Sequence, residues 1–118
     1  MQLPNAERAV IDIKKLRDYC LNPNHPEGKH KARVFLEKLA FKADDAELLR
    51  ELIMEEIVKG EATEQPSTPY GRRFIVDFQV TRKEKLVVMF ATIRTAWIIR
   101  NDEDFPRLTS CFIPRRRF

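Results

Sequence analysis

The sequence predicts an α+β domain, with N-terminal helices packed on a C-terminal antiparallel sheet of about four strands. Three observations predict it. Through residue 60, apolar residues recur every three or four positions. Beyond residue 72 the apolar residues alternate with polar ones. The length of 118 residues is that of one domain, large enough to bury about two-thirds of its unfolded surface. A single domain over 1–118 is expected, with a helical part at 1–60, a linker at 61–71, a sheet part at 72–114 and a basic tail at 115–118.

The elements follow in order. Asp12 precedes Ile13, Leu16 and Cys20, which share helical spacing, so Asp12 is an expected N-cap. Asn22-Pro23-Asn24-His25-Pro26 stops that helix. A second helix is expected from about Gly28 to Ala40, with Ala32, Phe35, Leu36 and Leu39 on one face. A third starts at Asp44, where Asp44 and Glu47 have capping-box spacing. Leu48, Leu49, Leu52, Ile53 and Ile57 form its apolar face, and Gly60 ends it. Glu61 to Gly71, with Pro66 and Pro69, reads as a linker. Phe74, Val76, Phe78 and Val80 then alternate as a half-buried strand. Thr81 to Glu84 is the expected turn. Lys85 to Arg100 is too long for an ordinary strand of about five or six residues, so a bend or bulge is expected near Thr92. Asn101 to Asp104 turns the chain into a last strand, Leu108 to Ile113. Short connections favour an antiparallel meander.

Composition excludes several classes. Hydrophobic residues make up 43% and charged residues 34%, which excludes a disordered chain. No apolar run approaches the roughly 20 residues of a membrane span. Met1 to Ala9 contains no apolar stretch of a secretory signal. Cys20 and Cys111 are two cysteines only, read as reduced, buried thiols of a cytoplasmic protein. No Cys, His, Asp and Glu set has metal-ligand spacing, so no metal and no cofactor are expected.

The formal net charge of +4 is unevenly placed. Residues 1–43 carry nine basic and five acidic residues; residues 44–64 carry two and eight; residues 65–118 carry eleven and five. An acidic third helix therefore stands between two basic sections, which suits a polyanionic partner. The densest cluster is His25-Pro26-Glu27-Gly28-Lys29-His30-Lys31-Ala32-Arg33. Cations at a helix start oppose the dipole preference, and such a violation points to a site. Lys31 lies at the flank of the apolar face, while His30 points away from it. A second cluster is Arg94-Thr95-Ala96-Trp97, where Arg94 sits among apolar residues and needs a partner; Asp77 is the candidate. A third is Pro106-Arg107-Leu108-Thr109-Ser110-Cys111-Phe112. Thr109 and Ser110 place hydroxyls on opposite strand faces, so one of them can join Arg94. The tail Arg115-Arg116-Arg117 is locally dense in charge.

The order His25-Pro26-x-Gly28-x-x-Lys31-Ala32-x-x-Phe35, Tyr70-Gly71-x-x-Phe74-x-Val76-Asp77, Arg94-Thr95-x-Trp97-Ile98 and Pro106-Arg107-Leu108 resembles a bacterial family of uncharacterised short proteins. The resemblance covers Leu3 to Phe112. Related modules stand at the C-termini of phage head-morphogenesis-like proteins and of polymorphic toxins. The family more often reads Thr-Ala-Tyr where this chain has Ser110-Cys111-Phe112, so the hydroxyl is kept and the phenol is lost. The layout is also similar to that of the barnase/EndoU/colicin/RelE type of small ribonuclease toxin, a likeness of fold.

That resemblance implies a metal-independent endoribonuclease toxin of a toxin–antitoxin system. A base takes the 2′-OH proton and cations stabilise the phosphorane-like transition state. The catalytic candidates are Lys31, His30, Arg94, Thr95 and Ser110. The substrate-binding candidates are Lys29, Arg33, Trp97 and Arg107, with Trp97 stacking a base. The implied partners are RNA and a small acidic antitoxin. Two other readings fit the same residues. One is a non-catalytic phage-like or partner-binding assembly module, in which the apolar run Leu86 to Ile93 makes a homodimer or partner contact. The other is an RNA-binding protein without cleavage.

Overall fold

A computed structural model describes residues 1–114; the basic tail at 115–118 lies outside the described residues. The protein is α+β. Three helices, α1 (Ile13–Lys15), α2 (Lys29–Leu39) and α3 (Ala46–Ile57), precede four strands, β1 (Ala62–Thr68), β2 (Gly71–Glu84), β3 (Val87–Arg100) and β4 (Arg107–Phe112). The sheet is an antiparallel meander in the order β1-β2-β3-β4.

The helix starts follow side-chain chemistry. The Asp12 carboxylate accepts from the Lys14 N–H at 3.0 Å, as expected for an N-cap. After Lys15 the chain widens into a π-type turn over Leu16–Cys20, and the Leu21 N–H reaches back to the Leu16 carbonyl. This turn points both Leu16 and Cys20 into the core. Ahead of the third helix, the Asp45 carboxylate accepts from the Lys42 N–H at 2.9 Å and caps a short turn, while neither Asp44 nor Asp45 caps α3 itself through its side chain. A 3₁₀ turn over Ala43–Asp45 comes first and shifts the α-helical start to Ala46. Leu36 and Leu48 are exposed, so the buried helix faces are narrower than predicted: Ala32, Phe35 and Leu39 on α2, and Leu49, Ile53 and Ile57 on α3.

The sheet corrects three sequence expectations. The stretch read as a linker is largely β1, paired with β2 from Ala62↔Val76 onward. It is an edge strand with only Ala62 buried, so its polar, proline-containing sequence carries no alternation signal. Thr81 to Glu84 is not a turn but the end of β2; the turn is Lys85-Leu86, with Lys85 at φ 57°. No bulge occurs near Thr92. β2 and β3 pair without interruption from Gly71↔Arg100 to Glu84↔Val87, and the one irregularity of β3 lies at Ala96/Trp97, against β4.

All helices pack on one face of the sheet. Phe74, Val76, Phe78 and Val80 of β2 and Ile93, Thr95, Trp97 and Ile99 of β3 point into that layer. The alternate residues of the same strands form the opposite, open face. Two glycines are fixed by contact. A Cβ on Gly28 would stand 2.5 Å from the Tyr19 carbonyl oxygen. One on Gly71, at φ 152°, would stand 2.1 Å from the Ile99 carbonyl oxygen. No helix is long and apolar enough to cross a membrane among the described residues.

Candidate functional site

The open sheet face brings together some of the predicted residues. Arg94 and Asp77 are direct cross-strand partners. The Arg94 Nε and Nη2 each donate to a different Asp77 carboxylate oxygen, at 2.9 Å. Both side chains are 37% exposed, so the pair stands on the surface and not under a packed core. Hydrogen bonding to Asp77 raises the Arg94 pKa above its ordinary value; partial desolvation opposes this, and the Asp77 charge adds a lesser upward push. Phe112 is opposite Arg94 on β4, and Ser110 is opposite Ala96. Arg94, Ala96, Ser110 and Phe112 therefore share one face. The Ser110 hydroxyl has no hydrogen-bond partner among the described residues. Lys31 arrives from α2: its Nζ lies 4.5 Å from the centre of the Phe112 ring, a cation–π contact at the margin of this face. Phe112 is thus both the cross-strand neighbour of Arg94 and the ring beneath the Lys31 ammonium.

Other predicted residues fall elsewhere. Thr95 is wholly buried on the opposite face. Its Oγ1 donates to the Val76 carbonyl at 2.8 Å and accepts from the Trp97 indole N–H at 2.8 Å. Trp97 is 1% exposed. The expectations that Thr95 binds a phosphate and that Trp97 stacks a base are corrected, because both are spent inside the core on each other. The physical reason is parity: Ile93, Thr95, Trp97 and Ile99 alternate onto the face that the helices cover. Lys29, His30 and Arg33 are exposed on α2, in the layer on the far side of the sheet from Arg94. The structure does not bring them to the Arg94 group. Arg107 is held by a bidentate pair with Glu103, at 2.8 and 2.7 Å, and stacks over Phe105 at 5.0 Å. That pair holds the Glu103 carboxyl below its usual range.

His25 has a role that cluster counting missed. Its Nδ1 accepts from the N–H groups of Glu27 and Gly28, both at 3.0 Å. The ring also meets Tyr19 edge-on, with centroids 4.6 Å apart. It closes the turn that leads into α2, whose own N-cap residue is Gly28, by accepting in the way that Ser or Asp more often does. The signal was available in the spacing, because His25 stands three residues before Gly28. Asp77 was legible only as a partner of Arg94.

The thiols are buried, as expected. Burial pushes the Cys111 pKa well above its ordinary value. Burial raises the Cys20 pKa too, against a hydrogen bond to the Cys111 backbone. Both thiols therefore stay protonated and unreactive at neutral pH. No group of three or more His, Cys, Asp or Glu is placed to hold a metal ion among the described residues. A cavity of about 370 Å³ lies between Pro4, Asn5, Arg72, Arg100 and Asn101, away from the Arg94 group.

A family model described as a domain of unknown function (DUF6883) matches residues 2–115. The chain belongs to this DUF6883 family. No curated protein and no solved structure matches the chain. The DUF6883 match spans both the helical layer and the full sheet, so the open face belongs to the family domain and not to an appendage.

Proposed function

We propose that the chain is a metal-independent endoribonuclease toxin that acts from the open sheet face. The observation that carries this reading is the surface pair Asp77–Arg94, with the Ser110 hydroxyl on the same face and the Lys31 amine at its margin. A carboxylate, a guanidinium, a hydroxyl and an ammonium are the groups that phosphodiester transesterification uses. Asp77, which pairs directly with Arg94, takes the place of His30 as the base. The Asp77 carboxylate takes the proton of a ribose 2′-OH, and the 2′-oxygen attacks the adjacent phosphorus. The bond from phosphorus to the 5′-oxygen breaks, and Lys31 gives that oxygen a proton. The products are a 2′,3′-cyclic phosphate and a 5′-hydroxyl. Arg94 uses two of its five N–H donors on Asp77, which leaves three for the phosphate. Ser110 donates to a non-bridging oxygen.

The resemblance to modules of polymorphic toxins supports a small acidic antitoxin as the partner that covers this face. The Arg residues that share or border it (Arg73, Arg94, Arg100 and Arg107) supply the charge for either polyanion. The test is incubation of the purified chain with single-stranded RNA, together with expression in a bacterial host. The wild type is expected to cut RNA and slow growth. Asp77→Asn is expected to reduce cleavage by about 10²–10⁴-fold. Intact RNA and normal growth with the wild type would sink the reading. RNA binding that weakens steeply with salt, without cleavage, would instead leave a non-catalytic RNA binder.

A further inference from the structure

We propose that two copies of this chain join through the free edge of β3, pairing Val87–Ala91 antiparallel about Met89. β3 pairs with β4 only between Arg94 and Ile98. Toward the hairpin tip, Val87–Ala91 has β2 on one side and no backbone partner on the other among the described residues. An unpaired strand edge is a template for another strand.

The other edges of this sheet carry the usual protections. β1 contains Pro66, with Glu64 nearby. β4 follows Pro106 and is flanked by Val10, which exchanges backbone hydrogen bonds with Pro106 and Leu108. The free part of β2 carries Asp77, Arg82, Lys83 and Glu84. From Leu86 to Ile93 there is no ionisable residue and no proline. Leu86, Val87, Val88 and Phe90 are exposed there, Phe90 by 76%.

A charged partner strand would find no counter-charge on this edge, so the strand that fits is equally uncharged. The same segment of a second copy meets that requirement. In a twofold pairing about Met89, Val88 stands opposite Phe90 twice, and Val87 opposite Ala91 twice. Aromatic and β-branched residues are favourable cross-strand neighbours, and the contact is self-complementary. The pairing joins two four-stranded sheets into one, with both Asp77–Arg94 pairs on the same side. The dimer stands or falls independently of the ribonuclease reading.

Sedimentation equilibrium of the full chain, up to about 200 μM, tests it. A dimer is expected. Phe90→Lys and Val88→Lys are each expected to weaken it by about tenfold or more, with unchanged circular dichroism. Leu48→Lys, on the exposed side of α3, is expected to leave it intact. Hydrogen exchange of the wild type is expected to slow at Val87–Ala91 as concentration rises. A monomer across the range overturns the proposal. So does a dimer that neither lysine weakens, or one whose exchange protection lies elsewhere.

Discussion

Thr95 and Arg94 are adjacent in sequence and lie on opposite faces of one strand. Thr95 is fully buried, with its hydroxyl engaged on both sides by Val76 and Trp97. Arg94 is surface-exposed, and its fork closes on Asp77 across the ladder. The difference teaches how to sort the polar residues of a β-sheet. A polar group on the covered face must be satisfied within the fold. On the open face, water could satisfy it equally well, so its pairing leaves room for another use. Function is to be sought on the open face, and stability on the other.

Four measurements break or sharpen this contrast. Trp97→Ala removes a fully packed indole and is expected to cost about 3–5 kcal/mol, read from urea unfolding. Thr95→Val keeps the shape but leaves the Trp97 N–H without its acceptor. It is expected to cost about 1–3 kcal/mol in the same assay. If Thr95→Val were neutral, the covered face would not depend on its internal hydrogen bonds. Asp77→Ala on the open face is expected to lower stability by only about 0.2–1 kcal/mol, while under the proposed function it is expected to lower cleavage by orders of magnitude. A loss of several kcal/mol there would make the pair structural and undo the contrast.

The smallest effect concerns pH. Glu64 and Glu103 have carboxyls held below the ordinary 4.5, chiefly by hydrogen bonds from Arg72 and Arg107. Asp104 is held below 3.8, chiefly by Arg8. Each contributes stability that is present above its unfolded pKa and lost as pH falls through its lower folded pKa. The urea midpoint is therefore expected to hold steady from neutral pH down to about 5 and to decline below that. Arg107→Ala is expected to shrink the decline. An unchanged acid limb would mean that the Glu103 pair contributes nothing.

Much of the fold was legible because burial imposes a period. The faces of α2 and α3 and the alternation from Phe74 to Val80 are direct readings of which side is covered. β1 was illegible for the converse reason: one buried residue in seven leaves nothing periodic to read. The hairpin turn was misplaced because Leu86 is fully exposed at the tip; polarity marks turns only where the loop avoids apolar residues. In the candidate site, the Arg94–Asp77 pairing was readable from two flanking strands. The placement of Thr95 and Trp97 was readable in principle, since both share parity with Ile93 and Ile99. The reach of Lys31 to Phe112 was not, because it depends on where α2 docks against β4.

The uninterrupted ladder between β2 and β3 bears on the order in which the chain folds. Its strands are joined by two residues, so every pair from Glu84↔Val87 outward forms by zipping from the last, with little further loop to close. A hairpin of this kind assembles on a scale of about 1–10 μs. The helical layer must instead be brought back across long sequence separations, as between Leu16 or Cys20 and β4. On these grounds the hairpin is expected to form ahead of its cover, and docking of the helices onto its inner face is the step expected to set the folding rate.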